Sequence, residues 1–165
     1  MKETTPSSSV PDWLTRFAAA LKNGDAAGAA ALFADDGYWR DLVSFTWNIV
    51  TLEGRPAITD MLTARLGDVQ PDGFVPGDRD GWFTFETAQG RGTGHVRLKD
   101  GKAWTFFTAL LELKGFEEKK GRRRIKGAEH GAQKGRKSWL ERRHEEEARL
   151  GYTEQPYVVI VGGGQ

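Results

Sequence analysis

Residue types and spacings that could do chemistry occur in two stretches near opposite ends of this chain. At the C-terminal end, Tyr157 to Val161 is a continuous apolar run rich in β-branched residues, followed by Gly162-Gly163-Gly164-Gln165. Such a run suits a strand buried on both faces of a parallel sheet. Gly162 and Gly164 then stand at the first two glycine positions of G-x-G-x-x-G, where one permits a tight turn and the other lets backbone approach a pyrophosphate. The third glycine, and the helix whose N-terminus would hold the phosphate, would have to follow Gln165. The expectation is the N-terminal piece of a longer nucleotide-binding enzyme. The plainer alternative is an apolar tail ending in a flexible glycine cap.

The other stretch is Tyr38 to Trp47, aromatic and β-prone. Asp41 lies two residues from Trp39, so both side chains leave the same face of a strand. A carboxylate on a buried strand face is a candidate general base. Its acid partner is hard to find. His95 is the one histidine outside the C-terminal third, and its strand alternates Arg91, Thr93, His95 and Arg97 against Gly92, Gly94, Val96 and Leu98. That alternation turns His95 toward solvent or an interface. Tyr38 alternates to the face opposite Asp41. The chain has no cysteine, and its carboxylates are scattered on loops, so neither a thiolate nucleophile nor a metal site is expected.

These residues need a scaffold, and 165 residues with 38% hydrophobic content leave room for one ordinary domain and an appendage. Met1 to Ser9 is polar with no apolar signal region, and no apolar run reaches the roughly 18 residues of a membrane span. A soluble, cytoplasmic protein is expected. The net charge of +1 hides a division. Residues 119–149 carry twelve Lys/Arg against five Asp/Glu, while the rest carries twelve against eighteen. An acidic body bears a basic arm.

After a leader over residues 1–10, the pattern predicts a helix from Pro11 to Asn23 with Trp13, Leu14, Phe17, Ala20 and Leu21 on one face. Asp25 is placed to cap a second, Ala-rich helix reaching Phe33. Asp36-Gly37 reads as a turn before the aromatic strand. Pro56 opens a third helix that carries Ile58, Met61, Leu62 and Leu66 and stops at Gly67. A loop with a short strand at Phe74-Val75 follows, then strands near Trp82–Ala88, Arg91–Lys99 and Lys102–Leu113, with Asp100-Gly101 a hairpin turn. Helices followed by an antiparallel meander make an α+β domain: a curved antiparallel sheet wrapped around three N-terminal helices.

This order, with the Leu32–Tyr38 and Gly54–Ile58 turns, resembles a SnoaL-like domain over residues 11–115. The resemblance implies the cone-shaped nuclear transport factor 2-like fold. That fold hosts isomerases, cyclases, dehydratases and binding modules, and often dimerises through its outer sheet face. A pocket at the open end of the cone would be lined by Tyr38, Trp39, Trp47, Trp82, Trp104 and Phe106; the alternative is an aromatic core that fills it.

From residue 116 to 137 the chain is a basic, Gly-rich connector with too few apolar residues for a core. Ser138-Trp-Leu-Glu141 is a capping-box pattern, so a helix is expected from Trp139 to Leu150 within a segment 138–155. Arg122-Arg123-Arg124 could meet phosphates, but the arm lacks interleaved aromatics and is flanked by Glu, and it reads as a solvated connector rather than a nucleic-acid site. His130-Gly131, Gly135, Trp139, Arg142-Arg143, Glu146-Glu147, Leu150-Gly151-Tyr152, Gln155-Pro156-Tyr157 and the glycine-rich end together resemble the approach to the FAD domain of YUCCA-like flavin-containing monooxygenases. The resemblance implies a parent that binds FAD at Gly162, Gly163 and Gly164, takes hydride from NADPH and transfers one oxygen atom from O2 to a small organic substrate. Residues 1–165 would then be its accessory region, binding neither cofactor alone. The rival expectations are a free-standing isomerase or cyclase using Asp41, and a non-catalytic binding or dimerising module.

Overall fold

The computed structural model describes residues 9–124, 127 and 134–155. The chain divides into two compact units, 1–124 and 125–165. In the first unit, helix α1 (Val10–Lys22) begins where the Ser9 hydroxyl accepts from the backbone N–H of Asp12, with Pro11 in a first turn that needs no N–H. Trp13, Leu14, Phe17 and Leu21 form its buried stripe. Asp25 caps α2 (Ala26–Ala31) by accepting from Gly28 at 2.8 Å. Helix α3 (Gly54–Val69) buries Ile58, Met61, Leu62 and Val69. The expected stop at Gly67 is overrun by one half-turn, because burying Val69 outweighs the poor helix propensity of an exposed glycine.

Six strands follow the order β2-β1-β6-β5-β4-β3 across one sheet. They are β1 (Phe33–Leu42), β2 (Ile49–Glu53), β3 (Asp72–Pro76), β4 (Trp82–Glu86), β5 (Gly90–Lys99) and β6 (Lys102–Leu113). The α+β expectation holds, with three corrections. Asp36-Gly37 does not end a turn: it lies inside β1, within a register shift between Phe33 and Tyr38. Ile49 to Glu53, where the pattern predicts no strand, forms β2. The sheet is also mixed, because β1 and β6 run parallel while the other four pairings are antiparallel. Helix α3 carries the chain from one sheet edge to the other, and successive reversals then lay β6 beside β1 in the same sense. Parallel neighbours require such a long crossover.

The register sets what each face carries. Phe83 opposes Gly94, Phe85 opposes Gly92, and Val96 opposes Phe106, all on the inner face. The rings of Phe83 and Phe85 lie over the two glycines, in space a Cβ would need. Trp13, Phe17, Phe33, Trp39, Phe45 and Phe106 complete a buried aromatic cluster, with Trp13–Phe17 and Trp39–Phe106 centroids each 4.8 Å apart. Well-oriented aromatic pairs contribute about 0.5–1.5 kcal/mol each beyond the area they bury. The cone is filled by its own rings.

In the second unit, α4 (Trp139–Arg149) shows the expected capping box: Ser138 accepts from the backbone N–H of Glu141, whose carboxylate accepts from Ser138 N–H. Arg143 bonds Glu147 at 2.7 Å and stacks over Trp139, 5.3 Å from the ring centroid. No helix among the described residues is long and apolar enough to cross a membrane.

Glycine substitutions test the filled cone. A Cβ at Gly92 would stand 2.5 Å from the Phe85 ring and 2.8 Å from the Ala109 carbonyl, whereas none of the described atoms lies within 4 Å of one at Gly67. Gly92→Ala is predicted to lower stability by about 1–3 kcal/mol in urea unfolding, and Gly67→Ala to leave it unchanged or raise it by up to about 1 kcal/mol.

Candidate functional site

Strand β1 sets Trp39 and Asp41 on the inner face, beside Phe106 and Thr108 of β6. Asp41 is 0% exposed. After Leu42 the chain makes a six-residue loop before β2, closed by Val43 N–H donating to the Asn48 carbonyl at 2.9 Å. The loop folds back over the Asp41 carboxylate. Oδ1 accepts from the Ser44 hydroxyl and from the Thr108 hydroxyl at 2.7 Å. Oδ2 accepts from Phe45 N–H at 3.1 Å, Thr46 N–H at 2.9 Å and the Thr46 hydroxyl at 2.7 Å. Behind this cage, the Trp39 indole N–H donates to Thr108 Oγ1 at 2.8 Å, so the β1 and β6 side chains form one chain of bonds.

All five donors are neutral. Backbone amides and hydroxyls aimed at both carboxyl oxygens satisfy a polar group that would otherwise be costly to bury. No buried side-chain nitrogen or oxygen among the described residues lacks a partner. A general base needs a lone pair free for the proton it takes and a path for the substrate. The lone-pair sites of Asp41 are occupied and its surface is closed, so the geometry is that of a structural knot.

The other expected site residues separate. Trp39 and Phe106 are in the core, whereas Tyr38, Trp47, Trp82 and Trp104 are exposed, so the six do not line one pocket. Strand alternation sends Tyr38 and Trp82 outward, and Trp104 falls in a register shift of the β5–β6 ladder, where alternation fails. His95 faces outward as expected, edge-on to Trp82 with centroids 5.1 Å apart. Gly162, Gly163 and Gly164 lie outside the described residues. Ser44, Thr46 and Thr108 escaped the sequence reading. A signal was present in Asp41-x-x-Ser-x-Thr, since short polar side chains just after an Asp favour local loop bonding, and in Thr108, a hydroxyl set among the apolar residues of β6.

At one end of the outer face, Arg91 reaches Glu112 at 3.2 Å, Glu117 at 3.1 Å and Glu86 at 3.6 Å, while Lys114 holds Glu86 at 2.8 Å. The Lys114 hydrogen bond, then its charge, holds the Glu86 carboxyl below its ordinary value of 4.5. Backbone N–H bonds, and then Arg91, do the same for Glu117.

Comparison with known proteins speaks to the fold. No family model matches the chain, and no curated protein matches it significantly. Among solved structures, a protein from Sphaerobacter thermophilus superposes with TM-score 0.51 at 16% identity, over 63% of this chain and 97% of that one. A nuclear transport factor 2-like protein of unknown function from Cytophaga hutchinsonii gives TM-score 0.45 at 11% identity, over 67% of this chain and 94% of its own. A protein with a ketosteroid isomerase-like fold from Catenulispora acidiphila, in complex with trimethylamine, gives 0.46 at 16%, over 59% and 84%. None of these links the chain to a flavin-dependent monooxygenase. The six-stranded curved mixed sheet and its helices make an α+β fold, similar to that of the Sphaerobacter thermophilus protein.

Two measurements probe this site. Asp41→Asn turns an NH2 group toward the donors of the cage and is predicted to cost about 3 kcal/mol or more, as breaking a buried charged network does; chemical denaturation reads it, and an unchanged midpoint would contradict the cage. For Glu86 and Glu117 the folded pKa is lowered, so their contribution is present above pH 4.5 and lost as pH falls through the lowered values. Carboxyl NMR titration should find both midpoints below 4.5, and Arg91→Ala should move that of Glu117 upward.

Proposed function

We propose that the first unit is a non-catalytic association module that pairs with a second copy of itself through the outer face of its sheet. One observation carries this reading: the inner face is packed solid with aromatic rings, while large apolar side chains remain uncovered on the outside. Trp82, Val75, Ile49 and Leu111 are exposed there, around the half-buried Phe107 and Ala109. The pairings Trp82–His95–Phe107 and Thr84–Thr93–Ala109 carry no carboxylate; Leu42 and Ile49 extend the second row across β1 to β2, while Arg40, which pairs with Phe107 and donates to the Thr51 hydroxyl, borders the first.

A second copy suits this surface. A two-fold interface brings the same patch against itself, so a like-charged centre would repel. Here the charges at one end are internally paired around Arg91, the centre is free of carboxylates, and the arginines Arg40 and Arg97 stand at its margin. The exposed Trp82 and half-buried Phe107 supply the kind of area that anchors protein interfaces.

The isomerase or cyclase reading would need Asp41 to leave its cage, and the five donors around it favour a structural role. The oxygenase setting, with FAD, NADPH and a small organic substrate, rests on the sequence resemblance of residues 130–164 alone. Within such a parent this module would pair or position subunits.

Sedimentation velocity tests the proposal. The wild type is expected to form a dimer. Phe107→Asp, which places a charge at the centre of the face, should raise its Kd by a factor of about 100 or more, the effect of losing a strong interface anchor. A wild type that stays monomeric at every concentration, or a Phe107→Asp variant that dimerises normally, would overturn it.

A further inference from the structure

One ion pair ties the last stretch of the first unit to its sheet. Across β4, β5 and β6, Glu86, Arg91 and Glu112 stand in one row, since Arg91 pairs with both carboxylates. Lys114 takes Glu86 at 2.8 Å and the Thr87 carbonyl at 2.7 Å, and Glu86 lies farther from Arg91, at 3.6 Å. Arg91 is thereby left to Glu112 at 3.2 Å and Glu117 at 3.1 Å, both from one terminal nitrogen. Glu117 returns to the sheet because the chain turns sharply after β6. Gly115 holds φ 83°, and Phe116 N–H donates to the Leu113 carbonyl at 3.1 Å. Backbone N–H groups of Gly115 and Glu117 stabilise the same carboxylate.

Past β6 little else holds the chain. Residues 115–124 are exposed throughout. Their other bonds are local: Lys120 with Glu118 at 3.5 Å, and a short 3-10 turn over Gly121–Arg123. Among the described residues, Arg91–Glu117 is the only hydrogen bond or ion pair that joins residues 117–124 to the sheet. An isolated exposed pair contributes little, but a network around one arginine already fixed by its ladder neighbours contributes more. The stretch so held carries five Lys/Arg in six residues, Lys119-Lys120-Gly121-Arg122-Arg123-Arg124, and ends where the first compact unit ends.

We propose that Arg91 and Glu117 form a clasp over a cleavage site: closed, it keeps residues 119–124 folded at the end of the sheet; open, it releases them as extended chain for an endoprotease that cuts after Lys or Arg. A protease needs the backbone unwound, so cutting follows the population of the locally open form. The cut is a hydrolysis. Water adds its oxygen to the carbonyl carbon of the basic residue, the C–N bond breaks, and the next residue leaves as a free amine. It severs the chain at the boundary of the two compact units.

Limited trypsin digestion of the full chain, with cut positions read by mass spectrometry, tests the clasp. Glu117→Gln and Arg91→Ala should each speed cutting within 119–124 by about fivefold, as loss of a networked exposed pair does. The double variant should be no faster than either single one, since both remove the same contact. Cutting after Arg142, Arg143 and Arg149 in the second unit, and the urea midpoint, should stay at wild-type values. Added salt should speed cutting within 119–124 relative to those positions in the wild type, and leave that ratio unchanged in Glu117→Gln. Variants cut at the wild-type rate, additive effects in the double variant, or faster cutting along the whole chain would overturn the clasp.

Discussion

Phe83 lies on Gly94 and Phe85 on Gly92, and those contacts close the cone. The two glycines put bare backbone on the inner face of β5 where side chains would otherwise hold the rings of β4 away from β6. Phe83 can therefore reach Phe106, their centroids 5.3 Å apart, and Phe106 in turn meets Trp13, Phe17, Phe33 and Trp39. Helix α1 is held by the same rings, since its Trp13 and Phe17 belong to the cluster. A sheet with one face so fully used can offer only the other face, its edges and its loops to a partner.

The Asp41 knot follows the same logic. A carboxyl group buried inside an aromatic core would be expensive without partners. It is tolerated because a loop of its own strand delivers backbone amides and hydroxyls to it, and β6 adds a hydroxyl held by the Trp39 indole. Breaking such a network costs more than it ever contributed, which makes it a device for specifying one loop conformation more than for adding stability. The outcome is a hairpin with strained left-handed positions and an exposed tryptophan at its tip.

Much of this was legible in the sequence where periodicity governs. The α1 stripe, the outward His95, the shared face of Trp39 and Asp41, and the Ser138–Glu141 capping box are short-range patterns that the structure repeats. What escaped depends on pairing. Gly37 looks like a turn residue, yet it is needed because a Cβ there would press on the Ala103 carbonyl at 2.9 Å, a contact created only when β6 lies parallel to β1. Trp104 looked like a pocket residue because a ladder shift cannot be seen in one strand alone. Asp41 looked reactive because its satisfying partners, Thr108 above all, are 67 residues away or hidden in an ordinary-looking loop.

The central claim is that this domain works from its outer face because its interior is full. Backbone and indole NMR shifts followed against protein concentration, and then against an added apolar small molecule, test it directly. The account predicts concentration-dependent shifts at Trp82, His95 and Phe107, with the Trp39 indole unmoved by the small molecule. Shifts confined to Trp39, Asp41 and Phe106 on adding that molecule, with the outer face silent at all concentrations, would contradict it.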